Sequence, residues 1–76
     1  MDMKYELKRD FYYAVYKSSQ PRFYNTKVDM FNDLVSLRDF VYNTYRTGYT
    51  IEEVGMDFKI QNDTSKIYCA VTQIGG

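Results

Sequence analysis

The 76-residue chain has no histidine and no tryptophan, and it has one cysteine and one proline. Without His, general acid–base work near neutral pH would fall to a carboxylate or lysine of displaced pKa. Cys69 alone can close no internal disulfide, and no His/Cys set is present to hold zinc. Gly48, Gly55, Gly75 and Gly76 match neither GxGxxG nor P-loop spacing. The residue types thus point away from catalysis, metal and cofactor, and towards binding. No apolar run approaches the roughly 18 residues of a membrane span. The start Met1-Asp2-Met3-Lys4 has no hydrophobic signal-type region, and a lone thiol suits a reducing compartment, so a cytoplasmic location is expected.

Charge is also missing in net terms: ten Lys and Arg balance ten Asp and Glu. A duplex-DNA reader is normally basic, because phosphate neutralisation supplies most of its affinity. No duplex nucleic-acid partner is therefore expected. The first third is locally basic, with Lys4, Lys8, Arg9, Lys17, Arg22 and Lys27 against Asp2, Glu6 and Asp10. An ordinary solvated surface, or a site for one small anion, accounts for that excess.

Tyrosine is present in abundance, at nine residues of 76. Tyr brings a large apolar body and a polar tip, which suits contact surfaces. The length sets a single domain spanning residues 1–76. A domain this small is near the limit for burying a sufficient core, so a partner chain or self-association as a homodimer would help.

Lys4 to Lys17 reads as extended, with Phe11-Tyr12-Tyr13-Ala14-Val15-Tyr16 rich in β-formers. Lys8-Arg9-Asp10 is either a turn or the polar middle of one strand. Ser18-Ser19-Gln20-Pro21 is a loop, and Arg22-Phe23-Tyr24 a short edge strand or ordered loop. Thr26 and Asp29 have capping-box-like spacing before a stripe of Met30, Leu34, Leu37, Val41 and Tyr45, and Gly48 follows as a terminator. This pattern predicts a helix over residues 27–46, with Asp29 and Asp33 near its start and Arg46 near its end. Tyr49 to Val54 is a connector with one short turn. Met56 to Ile60 and Ile67 to Ile74 alternate as two strands of a hairpin, joined by the turn formers Gln61 to Ser65.

The expected fold is α+β: one long helix on a three- to four-stranded, mainly antiparallel sheet, in the order β(β)αββ. One helix covers one face of such a sheet. With Phe11, Tyr13, Val15, Met56, Phe58, Ile60, Ile67, Cys69 and Val71 under the helix, Tyr12, Ala14, Tyr16, Tyr68 and Ile74 fall on the other face. Tyr12, Tyr16 and Tyr68, rimmed by Lys17, Lys59 and Lys66, are the candidate anchors for a protein partner. A solvated sheet surface with cross-strand Tyr pairs is the plainer reading. An alternative site for a small nucleotide uses Arg22 and Lys27 for phosphate and Phe23 or Tyr24 for base stacking. Glu52 and Glu53 are adjacent, so in a strand they point to opposite faces, and Cys69 sits in an apolar run as a small core residue.

The terminal Gly75-Gly76, with a β-rich chain around one helix, resembles ubiquitin and the sulfur-carrier proteins of the β-grasp family. That resemblance covers the last two residues and the coarse element order. It implies adenylation of the terminal carboxylate, then thiolation or conjugation. In general type the chain also looks like the accessory proteins of phages and mobile elements, anti-CRISPR and other anti-defence inhibitors among them. That likeness implies stoichiometric blockade of a host protein, or capture of a small signalling molecule.

Overall fold

The computed structural model describes residues 3–13 and 20–75. Its elements run β1 (Lys4–Tyr13), β2 (Arg22–Phe31), α1 (Leu34–Thr44), β3 (Thr50–Val54), β4 (Asp57–Gln61) and β5 (Ser65–Ile74). The strands form one sheet in the order β2-β1-β5-β4-β3, and every neighbouring pair is antiparallel. The α+β class and the antiparallel sheet agree with the sequence. The sheet has five strands, however, not three or four.

Two corrections account for the difference. The helix begins at Leu34 rather than residue 27, because residues 22–31 are taken up as the edge strand beside β1. Thr26 caps no helix: its hydroxyl donates to Asp10 Oδ1 across the strands at 2.7 Å. The N-cap is Asp33, whose Oδ1 accepts from the Ser36 N–H at 2.7 Å. Residues 50–54 form β3 rather than a connector. Gly55, with φ +63°, makes the two-residue turn from Val54 to Asp57 that pairs β3 with β4. Lys8-Arg9-Asp10 is the middle of one unbroken strand.

The connection from β2 to β3 leads from one edge of the sheet to the other, and α1 lies on that route. Four strand spacings of about 4.8 Å make the sheet about 19 Å wide. Eleven helical residues at about 1.5 Å each give about 16 Å, so a short helix suffices. Its inner stripe, Leu37 and Val41, continues into Tyr45, and all three are buried. They meet Leu7 of β1, Phe58 and Ile60 of β4, and Ile67 and Cys69 of β5. Each fully buried aliphatic or Phe side chain contributes about 1.5–3 kcal/mol relative to exposure. Met30 and Met56, expected in this core, are exposed: one lies on β2 and the other in the β3–β4 turn. Tyr13 is exposed as well, near the end of β1, and Val15 lies outside the described residues.

One charge is enclosed with the core. Arg9 is 8% exposed and lies between the sheet and the helix. Its Nη1 donates to the Tyr45 hydroxyl at 2.9 Å, and its Nη2 to Asp29 Oδ2 of β2 at 2.9 Å. The guanidinium carbon lies 4.9 Å from the Phe40 ring centroid and 5.4 Å from that of Phe11. A cation withdrawn from water needs such partners, and only Nε is left without one. Burial pushes the Tyr45 hydroxyl above its ordinary pKa, with Arg9 pulling the other way, so the phenol stays neutral and accepts this bond.

Arg9→Ala removes two charge-assisted hydrogen bonds and the packing of the stem. It is expected to lower stability by roughly 2–4 kcal/mol. Arg9→Lys does not restore the loss, because a lysine has no planar fork to reach Tyr45 and Asp29 together. Urea unfolding followed by circular dichroism measures both; an Arg9→Ala midpoint equal to wild type would contradict this account of the core.

Candidate protein-binding surface

The side-chain period of two divides the sheet cleanly. Tyr5, Leu7, Arg9 and Phe11 of β1 face the helix, with Ile67, Cys69 and Val71 of β5 and Phe58 and Ile60 of β4. The intervening residues occupy the opposite face, and among the described residues no element covers it. Tyr12 and Tyr68 stand there together, edge to face with ring centroids 5.3 Å apart. Phe23 of β2 stands on the other side of Tyr12 at 5.6 Å, also edge to face. The result is a ladder of three rings across β2, β1 and β5. Phe23 is 55% exposed, Tyr68 is 42% exposed, and Tyr12 between them is half-buried.

The register explains the ladder. Tyr12 pairs with Phe23 on one side and Lys66 on the other, while Tyr68 pairs with Asp10 and Lys59. The two tyrosines are diagonal neighbours, within reach for aromatic side chains. Phe23 reaches this face through a β-bulge. Phe11 pairs with Asn25 and Tyr12 with Phe23, so Tyr24 is the extra residue. A regular register would oppose Tyr24 to Tyr12 and turn Phe23 away. With the bulge, Tyr24 instead meets Phe11 and Tyr13 on the helix side, at 6.1 and 5.5 Å.

Of the three anchors expected from sequence, Tyr12 and Tyr68 are brought together, and Tyr16 lies outside the described residues, as do Ala14 and Lys17. Phe23 joins them, although the sequence pattern placed it in a nucleotide site. A bulge that needs no glycine leaves no mark in the sequence, so the parity of Phe23 was not legible. Lys59 and Lys66 border the ladder through their pairing with Tyr68 and Tyr12. Each edge-to-face contact contributes about 0.5–1.5 kcal/mol beyond area. These rings therefore stiffen their own strands while still presenting faces to solvent.

The residues of the nucleotide alternative, Arg22, Phe23, Tyr24 and Lys27, all lie on β2 but divide between the two faces. Phe23 is on the open side. Tyr24 and Lys27 gather near Phe11 on the helix side, with Lys27 Nζ 5.7 Å from that ring centroid. A shallow depression of about 490 Å³ between Gly48–Thr50 and Gln61–Thr64 includes none of the four.

Two groups show what the chemistry of the chain favours. Cys69 is 2% exposed, and burial pushes its thiol up to about 11, which leaves no thiolate for nucleophilic work near neutral pH. Glu53 of β3 faces the helix and takes a two-pronged bond from Arg38, at 2.8 and 2.9 Å, together with the Tyr42 hydroxyl. Arg38, then Tyr42, pull the Glu53 carboxyl down to about 2. This exposed cluster ties α1 to β3. Glu52, on the opposite face, pairs with Lys59. Among the described residues, no three side chains of metal-ligating type cluster, and no helix is long and apolar enough to cross a membrane.

The chain matches no protein-family model, no curated protein and no solved structure.

The Glu53 cluster makes a pH-dependent contribution. Because the folded pKa lies below the ordinary 4.5, the stabilisation is complete above about 4.5 and disappears as pH falls towards 2. Melting temperatures of wild type and Glu53→Gln should differ slightly at pH 6 and converge by about pH 2. The gap should also narrow in about 1 M salt, since the pair is exposed. A gap that holds constant between pH 6 and pH 2 would exclude the ion pair as its source.

Proposed function

We propose that this chain is a small non-enzymatic protein-binding module whose contact surface is the open face of the sheet. The observation that carries the reading is the Phe23–Tyr12–Tyr68 ladder, three adjoining aromatic rings on a face that no described element covers. Contact hot spots are enriched in Tyr and other large aromatics, because two rotatable bonds fix a large amphipathic area. Val28, Met30, Val54 and Ile74, each at least 41% exposed, lie on the same face among the charged residues Glu6, Lys8 and Asp10. Lys59 and Lys66 supply a polar rim, which suits a partner with carboxylates around an apolar centre.

The role that fits such a module is stoichiometric: it occupies a partner's surface and blocks what that surface does. Inhibition of a host defence protein by a phage or mobile-element accessory protein is the role in view, in the cytoplasm. The nucleotide-sequestering alternative has less support, because β2 sends Phe23 to one face and Tyr24 and Lys27 to the other. A carrier role at the C-terminus has none beyond the dipeptide itself: β5 stays paired with β1 as far as Ile74, and Gly76 lies outside the described residues.

Affinity capture from cells of the native host tests the proposal, with wild type and Phe23→Ser/Tyr68→Ser as paired baits. Both sites are exposed, so the variant is expected to keep its circular dichroism spectrum and lose no more than roughly 2 kcal/mol of stability. At least one protein retained in equimolar amount by wild type should fall about tenfold or more with the variant, as loss of hot-spot contacts requires. Equal retention by the two folded baits would remove the open face as the binding surface. Thermal shift against nucleotides separates the alternative, since a ligand of the folded state raises the midpoint.

A further inference from the structure

The sheet has two edges, and they differ in kind. β3 is five residues long, whereas β2 runs for ten, and among the described residues nothing pairs with its outer side. A long edge strand offers a row of unpaired N–H and C=O groups to another chain. Two features bound the regular part of this one. The bulge at Tyr24 interrupts it on one side, and at the other Asn32-Asp33 turn the chain into the helix. Between them lie Asn25 to Phe31, a stretch of seven residues whose middle residue is Val28.

We infer that the outer edge of β2 pairs antiparallel with the same edge of a second copy of this chain, on a two-fold axis through Val28. An isologous contact requires a self-complementary patch, so that residue i meets j and j meets i. Only the Val28-centred register uses the whole regular stretch. It sets Lys27 opposite Asp29 of the second copy, and Asp29 opposite Lys27, which makes two cross-strand ion pairs on the helix side. On the open side it sets Val28 beside Val28, with Thr26 opposite Met30 on either side. Val28 and Met30 are 54% and 48% exposed in the single chain, and this pairing covers them. Asp29 holds Arg9 through Oδ2 and its side chain is still 41% exposed, so it can meet a second cation. Lysine on an edge strand ordinarily deters pairing. Here the register answers each lysine with a carboxylate.

A two-fold axis normal to the sheet keeps both helices on one side. The pair is a ten-stranded sheet with two helices above it and both aromatic ladders below. The inference does not depend on the proposed partner: the edge pairing uses Asn25 to Phe31 and covers Val28 and Met30 of the open face, whereas the ladder of Phe23, Tyr12 and Tyr68 lies outside it. Seven paired residues at about 3.4 Å make a contact about 24 Å long, which places it among small, concentration-dependent interfaces.

Sedimentation equilibrium of the full chain, from about 10 µM to about 1 mM, covers the range that a small interface requires. Wild type should pass from monomer to dimer mass. Lys27→Asp sets carboxylate against carboxylate and should raise the dimer dissociation constant at least about tenfold, with the melting temperature at low concentration unchanged. Cysteine variants read the register. Val28→Cys places two thiols across the axis, with Cα atoms about 4.5–5.5 Å apart, and should oxidise to a covalent dimer. Met30→Cys places them about 13 Å apart along the strands and should not. Buried Cys69 stays out of the reaction. Monomer mass throughout, equal cross-linking of the two cysteine variants, or an unchanged Lys27→Asp constant overturns the inference.

Discussion

The structure depends on a cation placed where water is nearly excluded. Arg9 connects the inner strand β1 to the edge strand β2 through Asp29, and to the end of the helix through Tyr45, with the Phe40 and Phe11 rings beside it. Desolvating a guanidinium is expensive, and the arrangement holds because both terminal nitrogens find acceptors and two aromatic rings lie beside the cation, with Nε alone unpaired. Its structural value lies in specificity. A slip of β1 by one residue would turn Arg9 to the open face and bring Lys8 or Asp10 beneath the helix, where neither would find Tyr45 or Asp29 in place. The same slip would take Leu7 out of the core. A one-residue alternative therefore loses packing and pairing at once.

The helix position follows from topology and from that cation together. β2 and β3 are opposite edges, so the segment joining them must pass over the width of the sheet. It can pass on either face. Arg9, Leu7, Phe58, Ile60, Ile67 and Cys69 share one face, and only that face offers Leu37, Val41 and Tyr45 an apolar bed with a hydrogen-bond donor at its end. The Arg38–Glu53 bond then fastens the helix to β3 at the far edge. With α1 committed to that side, no described element covers the reverse face.

Much of this was legible in the sequence, and the misreadings have physical causes. The strict alternation of Phe58 and Ile60, and of Ile67 and Cys69, gave the inner strands and their faces. Leu37, Val41 and Tyr45 gave the buried side of the helix. The helix start was misread because Met30 continues the 3.6 period backwards by chance, while residues 28–31 alternate at a period of two, Val28 and Met30 on one face and Asp29 and Phe31 on the other. The competition was decided by tertiary structure: β1 needs a partner on its outer edge, and residues 22–31 supply one of equal length. Asn32-Asp33 followed by Ser36 is the local signal of the true cap. β3 was missed because only Ile51 of its five residues is both apolar and turned inward. Val54-Gly55-Met56-Asp57, with Gly leading a two-residue turn, marks the hairpin. Tyr12 and Tyr68 were placed correctly by parity alone. Phe23 was not, since parity fails across a bulge.

The division between faces also separates stability from recognition. On the helix side each residue is fixed by several others, and a change there alters the whole chain. On the open side the backbone register is already set from the other face, so a ring can be replaced without loss of the strand beneath it. The ladder stands where β1, β2 and β5 run side by side, with β4 continuing the sheet past Lys59. It thus rests on the paired backbone of three strands, with the bulge at Tyr24 setting the place of Phe23. Rings held this way need little ordering when another surface meets them, which reduces the entropic cost of association. An exposed aromatic row on a loop would have to be immobilised first. Here, β-sheet periodicity and a single bulge do that work in the free protein, and the tyrosine hydroxyls keep the surface compatible with water until it is covered.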